Sequence, residues 1–179
     1  SVLAAAAGAD AVVNCVGILS EVGKNKFQDV QALGSARVAR VSSEQGVMNF
    51  VQISAIGANE DSSSNYARTK ALGEASVLKY FPEATILRPS IVYSVDDNFT
   101  TNMMSLLSIL PFFPLYYEGK TKFSPIHVSE MAEIILNIVE KNICSEVIEC
   151  VGPDVITFRE IIEKLSILID KKKILIPLP

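Results

Sequence analysis

Three side chains in the middle of the sequence have the types and spacing of a proton relay. Tyr66 and Lys70 lie four residues apart, which stacks them on one face of a helix. A phenol keeps its proton to about pH 10 and is a poor base at neutral pH. A neighbouring ammonium stabilises the phenolate and brings the tyrosine closer to acid/base work. Ser54 ends a strand-like apolar run, Asn49–Ile53. Its hydroxyl is placed to hydrogen-bond the same substrate oxygen that Tyr66 protonates or deprotonates. Such a relay suits carbonyl/alcohol interconversion, the partner of hydride transfer to or from a nicotinamide. A lone Tyr-x-x-x-Lys is common on exposed helices. Here it follows a strand, a terminating serine and a small polar loop (Gly57, Ala58, Asn59, Ser62, Ser63, Ser64).

The elements that must position these residues alternate between strand and helix patterns. Val12–Asn14, Asn49–Ile53, Ala84–Leu87 and Val147–Val151 read as short buried strands. Phe27–Gln45 has a helical stripe (Val30, Leu33, Val38, Val41) closed by Gly46. The helix carrying Tyr66 and Lys70 ends near Phe81-Pro82, as proline requires. Thr101–Leu110 and Met131–Val139 read as further helices, the second with Ser129 as N-cap. Thr157-Phe158-Arg159-Glu160 is a capping box opening a helix to about Ile169. The alternation predicts an α/β fold with a doubly wound parallel sheet and right-handed crossovers. Residues 1–95 form the expected cofactor and active-site part, and 96–179 mix returning sheet elements with a small substrate-side region.

Composition excludes several classes. The 179 residues suffice for a buried core, and 49% are hydrophobic. The mean hydropathy of +0.33 suits a sheet covered on both faces. A formal charge of −4 offers no basic field for nucleic acid. Cys15, Cys144 and Cys150 lack metal-ligand spacing, and the one histidine, His127, sits in an apolar run. The expectation is therefore no metal site, a reducing compartment, and Cys15 and Cys150 as small core residues. Met103–Tyr117 is interrupted by Pro111 and Pro114 and is too short to span a bilayer. Lys171–Lys173 complement a helix end or contact anionic lipid.

Several motifs together carry a resemblance. Asn14-Cys15-Val16-Gly17 is similar to a turn that passes beneath a dinucleotide. Phe50-Val-Gln-Ile-Ser54-Ala-Ile-Gly, Ser64-Asn-Tyr66-Ala-Arg-Thr-Lys70-Ala-Leu-Gly-Glu74, Arg88-Pro-Ser-Ile-Val-Tyr93 and Gly119-Lys-Thr-Lys-Phe-Ser-Pro-Ile-His-Val128 follow in order. Over nearly the whole chain they resemble the short-chain dehydrogenase/reductase superfamily in its extended and atypical branch. The dehydrogenase-like accessory subunit of respiratory complex I and its bacterial relatives look closest. That resemblance implies a Rossmann-like sheet binding NAD or NADP, with Ser54, Tyr66 and Lys70 as catalytic residues. Asn14, Cys15, Val16, Gly17, Ser54, Tyr66, Lys70, Pro89, Ser90, Ile91 and Val92 are implied as cofactor contacts. Gln31 stands near the place of a family asparagine.

No Gly-x-x-Gly-x-x-Gly loop occurs, so the reading implies an N-terminally truncated piece whose first βαβ portion, with the pyrophosphate loop, lies outside it. Two functions follow from the resemblance. One is an oxidoreductase or nucleotide-sugar epimerase or dehydratase. The other is a non-catalytic cofactor-binding accessory or assembly subunit among respiratory-complex partners. The implied location is cytoplasmic or peripheral on an inner membrane, matrix side if mitochondrial.

Overall fold

Short runs of β-branched and aromatic residues, apolar on both sides, pair most stably in a parallel sheet covered by helices. In the computed structural model, which describes all 179 residues, they do so. In chain order the elements are α1 (Val2–Ala6), β1 (Ala11–Asn14), a π-helical segment (Gln28–Gly34) running into α2 (Ser35–Glu44), β2 (Asn49–Ile53), α3 (Asn65–Tyr80) and β3 (Thr85–Pro89). There follow β4 (Val92–Tyr93), α4 (Asn98–Ile109), β5 (Phe112–Leu115), a 3-10 turn (Tyr116–Gly119), β6 (Lys122–Phe123) and β7 (Ile126–His127). The chain closes with α5 (Val128–Glu140), β8 (Val147–Cys150), β9 (Ile156–Thr157), α6 (Phe158–Leu168) and β10 (Ile174–Pro177).

Two compact units result: Ser1–Pro89 with Ala132–Cys150, and Ser90–Met131 with Val151–Pro179. The first holds a four-stranded sheet in the order β1-β2-β3-β8, every pair parallel. All four strands therefore end on one edge. Its core packs Phe50, Ile86, Val77, Phe81 and Ala39. The fold is the expected Rossmann-like α/β sheet. β3 runs on to Pro89 because Pro89 pairs with Cys150.

The second unit is built from two-stranded pairs: β4 with β7, β5 with β10, and β6 with β9. Leu107, Leu115, Ile161, Ile162 and Leu165 form its core. Asp97 caps α4 by accepting from the Thr100 amide at 2.6 Å, so this helix starts three residues earlier than its apolar pattern suggests. Thr157 and Glu160 form the expected capping box. α5 opens at Val128 rather than after Ser129. Glu130 accepts from the His127 amide at 3.0 Å, while Ser129 Oγ is engaged with His127 Nδ1 at 2.7 Å. The histidine ring, edge-on to Tyr93, is a hydrogen-bonded side chain at a helix start.

Two expectations in the first unit need correction. Cys15 is exposed, although Cys150 is buried. Of the stripe expected over Phe27–Gln45, Val41 is buried and Val38 packs against the core, but Leu33 is 57% exposed. The π-helical turn adds residues to the repeat and brings Gln31, Ala32, Ser35, Ala39 and Ser42 inward in place of Leu33. Small and polar groups suit that face because α3 comes very close. A Cβ on Gly73 would lie 2.4 Å from the Gln31 carbonyl oxygen.

Candidate functional site

The site is assembled at the C-terminal edge of the parallel sheet, where open α/β sheets hold ligands. β1 ends at Asn14, which is buried. Its amide nitrogen donates to Gln52 Oε1 at 2.8 Å and to Ser35 Oγ at 3.4 Å, and its oxygen accepts from the Val16 amide at 3.3 Å. The side chain is thus consumed in shaping the turn. What the turn offers outward is the exposed stretch Cys15–Gly17. Gln31 steadies the following loop, donating from Nε2 to the Ile18 carbonyl at 2.9 Å. Its Oε1 is buried without a partner.

β2 delivers Ser54, and α3 delivers Tyr66 and Lys70. Ser64 starts the helix by accepting from the Ala67 amide. Lys70 is only 8% exposed. Its ammonium donates to the Ile53 carbonyl at 3.2 Å and sits 5.9 Å from the centre of the Tyr66 ring. Burial pushes this ammonium below the ordinary lysine range, and the acidic groups of Glu74 and Cys15 partly offset the drop. A Cβ on Gly17 would stand 3.2 Å from Lys70 Nζ, so the exposed turn passes directly over the ammonium. Phe27 packs edge-on against Tyr66, centroids 5.8 Å apart.

The electrostatics of Tyr66 differ from the sequence expectation. Burial raises its phenol above the usual tyrosine value, because desolvation disfavours the phenolate. Lys70 lies beside the ring, and it does not reverse that effect.

Ser54 brings in two residues that motif reasoning left unassigned. Its buried hydroxyl donates to Glu74 Oε1. The same carboxylate takes two bonds from Arg88, Nε at 3.0 Å and Nη2 at 2.6 Å. That hydrogen bond to Glu74, above all, holds the guanidinium firmly charged. A carboxylate only accepts, so Ser54 spends its proton on Glu74 and keeps lone pairs for a ligand. It can receive a bond from an alcohol or a phenol. It cannot donate to a carbonyl oxygen without giving up Glu74. The available signal was spacing: Tyr66, Lys70 and Glu74 fall at i, i+4 and i+8 on one helix face, and a buried acid requires a partner.

Of the remaining implied cofactor contacts, Pro89 ends β3 in the first unit, its carbonyl accepting from the Ile56 amide at 3.1 Å. Ser90, Ile91 and Val92 open the second unit. Ser90 Oγ accepts from the Ser124 amide at 3.3 Å, the Ile91 carbonyl accepts from the Ile126 amide at 2.9 Å, and Val92 pairs with Ile126.

These features fit a sugar diol or nicotinamide edge over Lys70. A buried ammonium has three donors and here spends one on protein. The exposed glycine turn leaves space where a side chain would crowd it. Parallel sheet, helix-borne Tyr-Lys pair and exposed turn define a dehydrogenase-like α/β class.

Solved structures bear out the fold. MoeE5 in complex with UDP-glucose and NAD superposes with a TM-score of 0.82, covering 99% of this chain and 68% of that one at 15% identity. Residues 58–157 match the model of the RmlD substrate binding domain, and the chain belongs to that family. It is 33% identical over 166 residues to "NADH dehydrogenase [ubiquinone] 1 alpha subcomplex subunit 9, mitochondrial" of Arabidopsis thaliana, covering 91% of this chain and 41% of that protein. It is also 29% identical over 127 residues to the ceramide reductase of Caulobacter vibrioides, covering 71% of this chain and 39% of that protein. The chain thus spans about two fifths of the length of these curated relatives.

Proposed function

We propose that this chain is the part of an NAD(P)-binding, short-chain dehydrogenase/reductase-like protein that carries the nicotinamide end of the cofactor site. The carrying observation is Lys70, a buried ammonium with one protein acceptor, under the exposed Cys15–Gly17 turn and against Tyr66. Lys70 holds the ribose hydroxyls, and Cys15–Gly17 and Pro89 supply backbone and apolar contacts. Solved structures of similar fold carry NAD or NADP, which supports the cofactor class without choosing between the two.

When bound, the dinucleotide supplies or accepts the hydride. In the oxidoreductase or epimerase reading, Tyr66 holds or releases the proton at its phenol oxygen. Lys70 offsets charge on that oxygen, and Ser54, fixed by Glu74 and Arg88, accepts from a substrate hydroxyl. The second reading is a non-catalytic accessory or assembly subunit of respiratory complex I. Two observations favour it: the Ser54 proton is already spent on Glu74, and burial raises the phenol rather than lowering it. The names of several relatives, complex I subunits of mitochondria, support the same reading. They also support a mitochondrial placement, and within it the reading is matrix-side and peripheral on the inner membrane, cytoplasmic in a bacterium. No helix is long and apolar enough to cross a membrane.

The test is paired. Nucleotide released by denaturing the full-length protein is identified by mass spectrometry, and hydride transfer is assayed against carbonyl substrates and nucleotide sugars. Tyr66→Phe keeps the nucleotide, since one hydrogen bond is worth on the order of 1 kcal/mol. Lys70→Ala loses most of it, because a charge-assisted bond goes and the ribose hydroxyls are left unpaired. Either change lowers turnover by roughly a hundredfold or more. Wild type without turnover, combined with loss of assembly in Lys70→Ala, leaves the accessory reading. Absence of nucleotide from wild type defeats both.

A further inference from the structure

Where α4, α6 and β10 meet, the second unit leaves large apolar side chains in solvent. Ile109 is 80% exposed, Ile167 77%, Leu168 75% and Ile174 70%. The backbone gathers them. β10 runs parallel to β5 with Ile174 opposite Phe112, itself half exposed. Lys171 Nζ donates to the Ser108 carbonyl at 2.9 Å and Lys173 Nζ to the Leu110 carbonyl at 2.8 Å. The turn after α6 is thereby tied to the end of α4, whose free carbonyls it satisfies.

Charge at this edge is opposite to that of the chain. Residues 98–117 contain no charged side chain, and residues 164–179 hold four lysines against one acid, Asp170. The whole chain carries −4. Lys171 and Lys173 each spend one donor on a carbonyl and keep two, and Lys172 between them is exposed. Apolar tips rimmed by lysines match the boundary between acyl chains and anionic headgroups, where lysine stems lie along apolar surface and their charges reach phosphate. A protein partner would account for the apolar tips and leave the concentration of cations unexplained. With no helix able to span a bilayer, contact is limited to its surface.

We propose that this edge, built from the ends of α4 and α6 and the start of β10, docks on an anionic lipid bilayer. The proposal rests on the peripheral placement offered above and gives it a surface; it does not depend on the cofactor site. The experiment is flotation of the purified protein with vesicles of phosphatidylcholine, alone or mixed with phosphatidylglycerol.

Binding to the mixed vesicles is expected, weakened by salt. Lys172→Gln lowers it roughly fivefold, the conversion of one basic residue's worth of surface attraction, and leaves the weak binding to neutral vesicles unchanged. Ile167→Asn with Leu168→Asn lowers binding to both vesicle types. All three positions are exposed, so thermal melts should match wild type and report correct folding. Lys70→Ala should float like wild type even if its nucleotide is lost, which separates this test from that of the cofactor site. Three results overturn the proposal: no flotation with mixed vesicles, undiminished flotation of the two apolar substitutions, or self-association through Ile167 and Leu168 without lipid affinity.

Discussion

The Glu74–Arg88 pair offers the sharpest test of how the site is held. Replacing Arg88 by Met removes two charge-assisted bonds and leaves the Glu74 carboxylate, its side chain only 9% exposed, with the Ser54 hydroxyl alone. Breaking a fully buried pair from one side costs about 3–5 kcal/mol. Arg88 is 28% exposed, so water reaches the gap, and about 2–4 kcal/mol is expected. With a urea m-value of ~2 kcal/mol/M, that is a fall in midpoint of roughly 1–2 M. Glu74→Gln should cost less, about 1–2 kcal/mol, because the more exposed guanidinium can turn to solvent and the amide oxygen still accepts from Ser54. The double variant should be more stable than the sum of the singles predicts, by about 1.5 kcal/mol or more, as expected for groups in direct contact. Urea unfolding of the four proteins at neutral pH gives the cycle. An Arg88→Met cost below about 1 kcal/mol, or additivity within about 0.5 kcal/mol, would show that Ser54 is not held by a coupled ion pair.

Two further outcomes test the packing and the burial. Gly73→Ala drives a methyl to within 2.4 Å of the Gln31 carbonyl oxygen, a backbone atom that cannot swing aside. It should destabilise by about 2–3 kcal/mol, seen as a lower melting temperature, and a neutral result would show that α3 and the π-helical segment are not so tightly apposed. Lys70→Met should stabilise the fold by roughly 1 kcal/mol near pH 7 while abolishing nucleotide retention, since a buried charge is removed from a functional site. The sign with pH follows from the lowered lysine. Between its folded value and 10.5 the unfolded chain binds more protons, so wild type gains stability as pH rises and the advantage of Met shrinks. Tyr66, raised above 10.0 by burial, contributes stability that is lost at still higher pH. Tyr66→Phe should remove that alkaline loss. Urea midpoints across the alkaline range read both titrations, and a Met advantage that does not shrink refutes the burial argument.

What the sequence determined by itself is whatever neighbouring residues decide. β2 lies where its apolar run lies, Asn49–Ile53, and the Thr157–Glu160 box caps α6 as its side chains dictate. Alternating strand and helix patterns were enough to imply a parallel sheet, because parallel strands need helical crossovers. The placement of Tyr66 and Lys70 on one face of α3 followed from helical periodicity alone. The tertiary structure decided everything that depends on residues distant in the chain. The same cysteine chemistry is buried at Cys150 and exposed at Cys15. Leu33 was displaced to the surface because α3, whose one glycine is Gly73, presses there on the π-helical turn. Ser54 lost its free proton to Glu74, twenty residues on, and Glu74 is held by Arg88, fourteen residues further. No local pattern encodes those distances, since only the folded sheet edge brings the three side chains within hydrogen-bond reach.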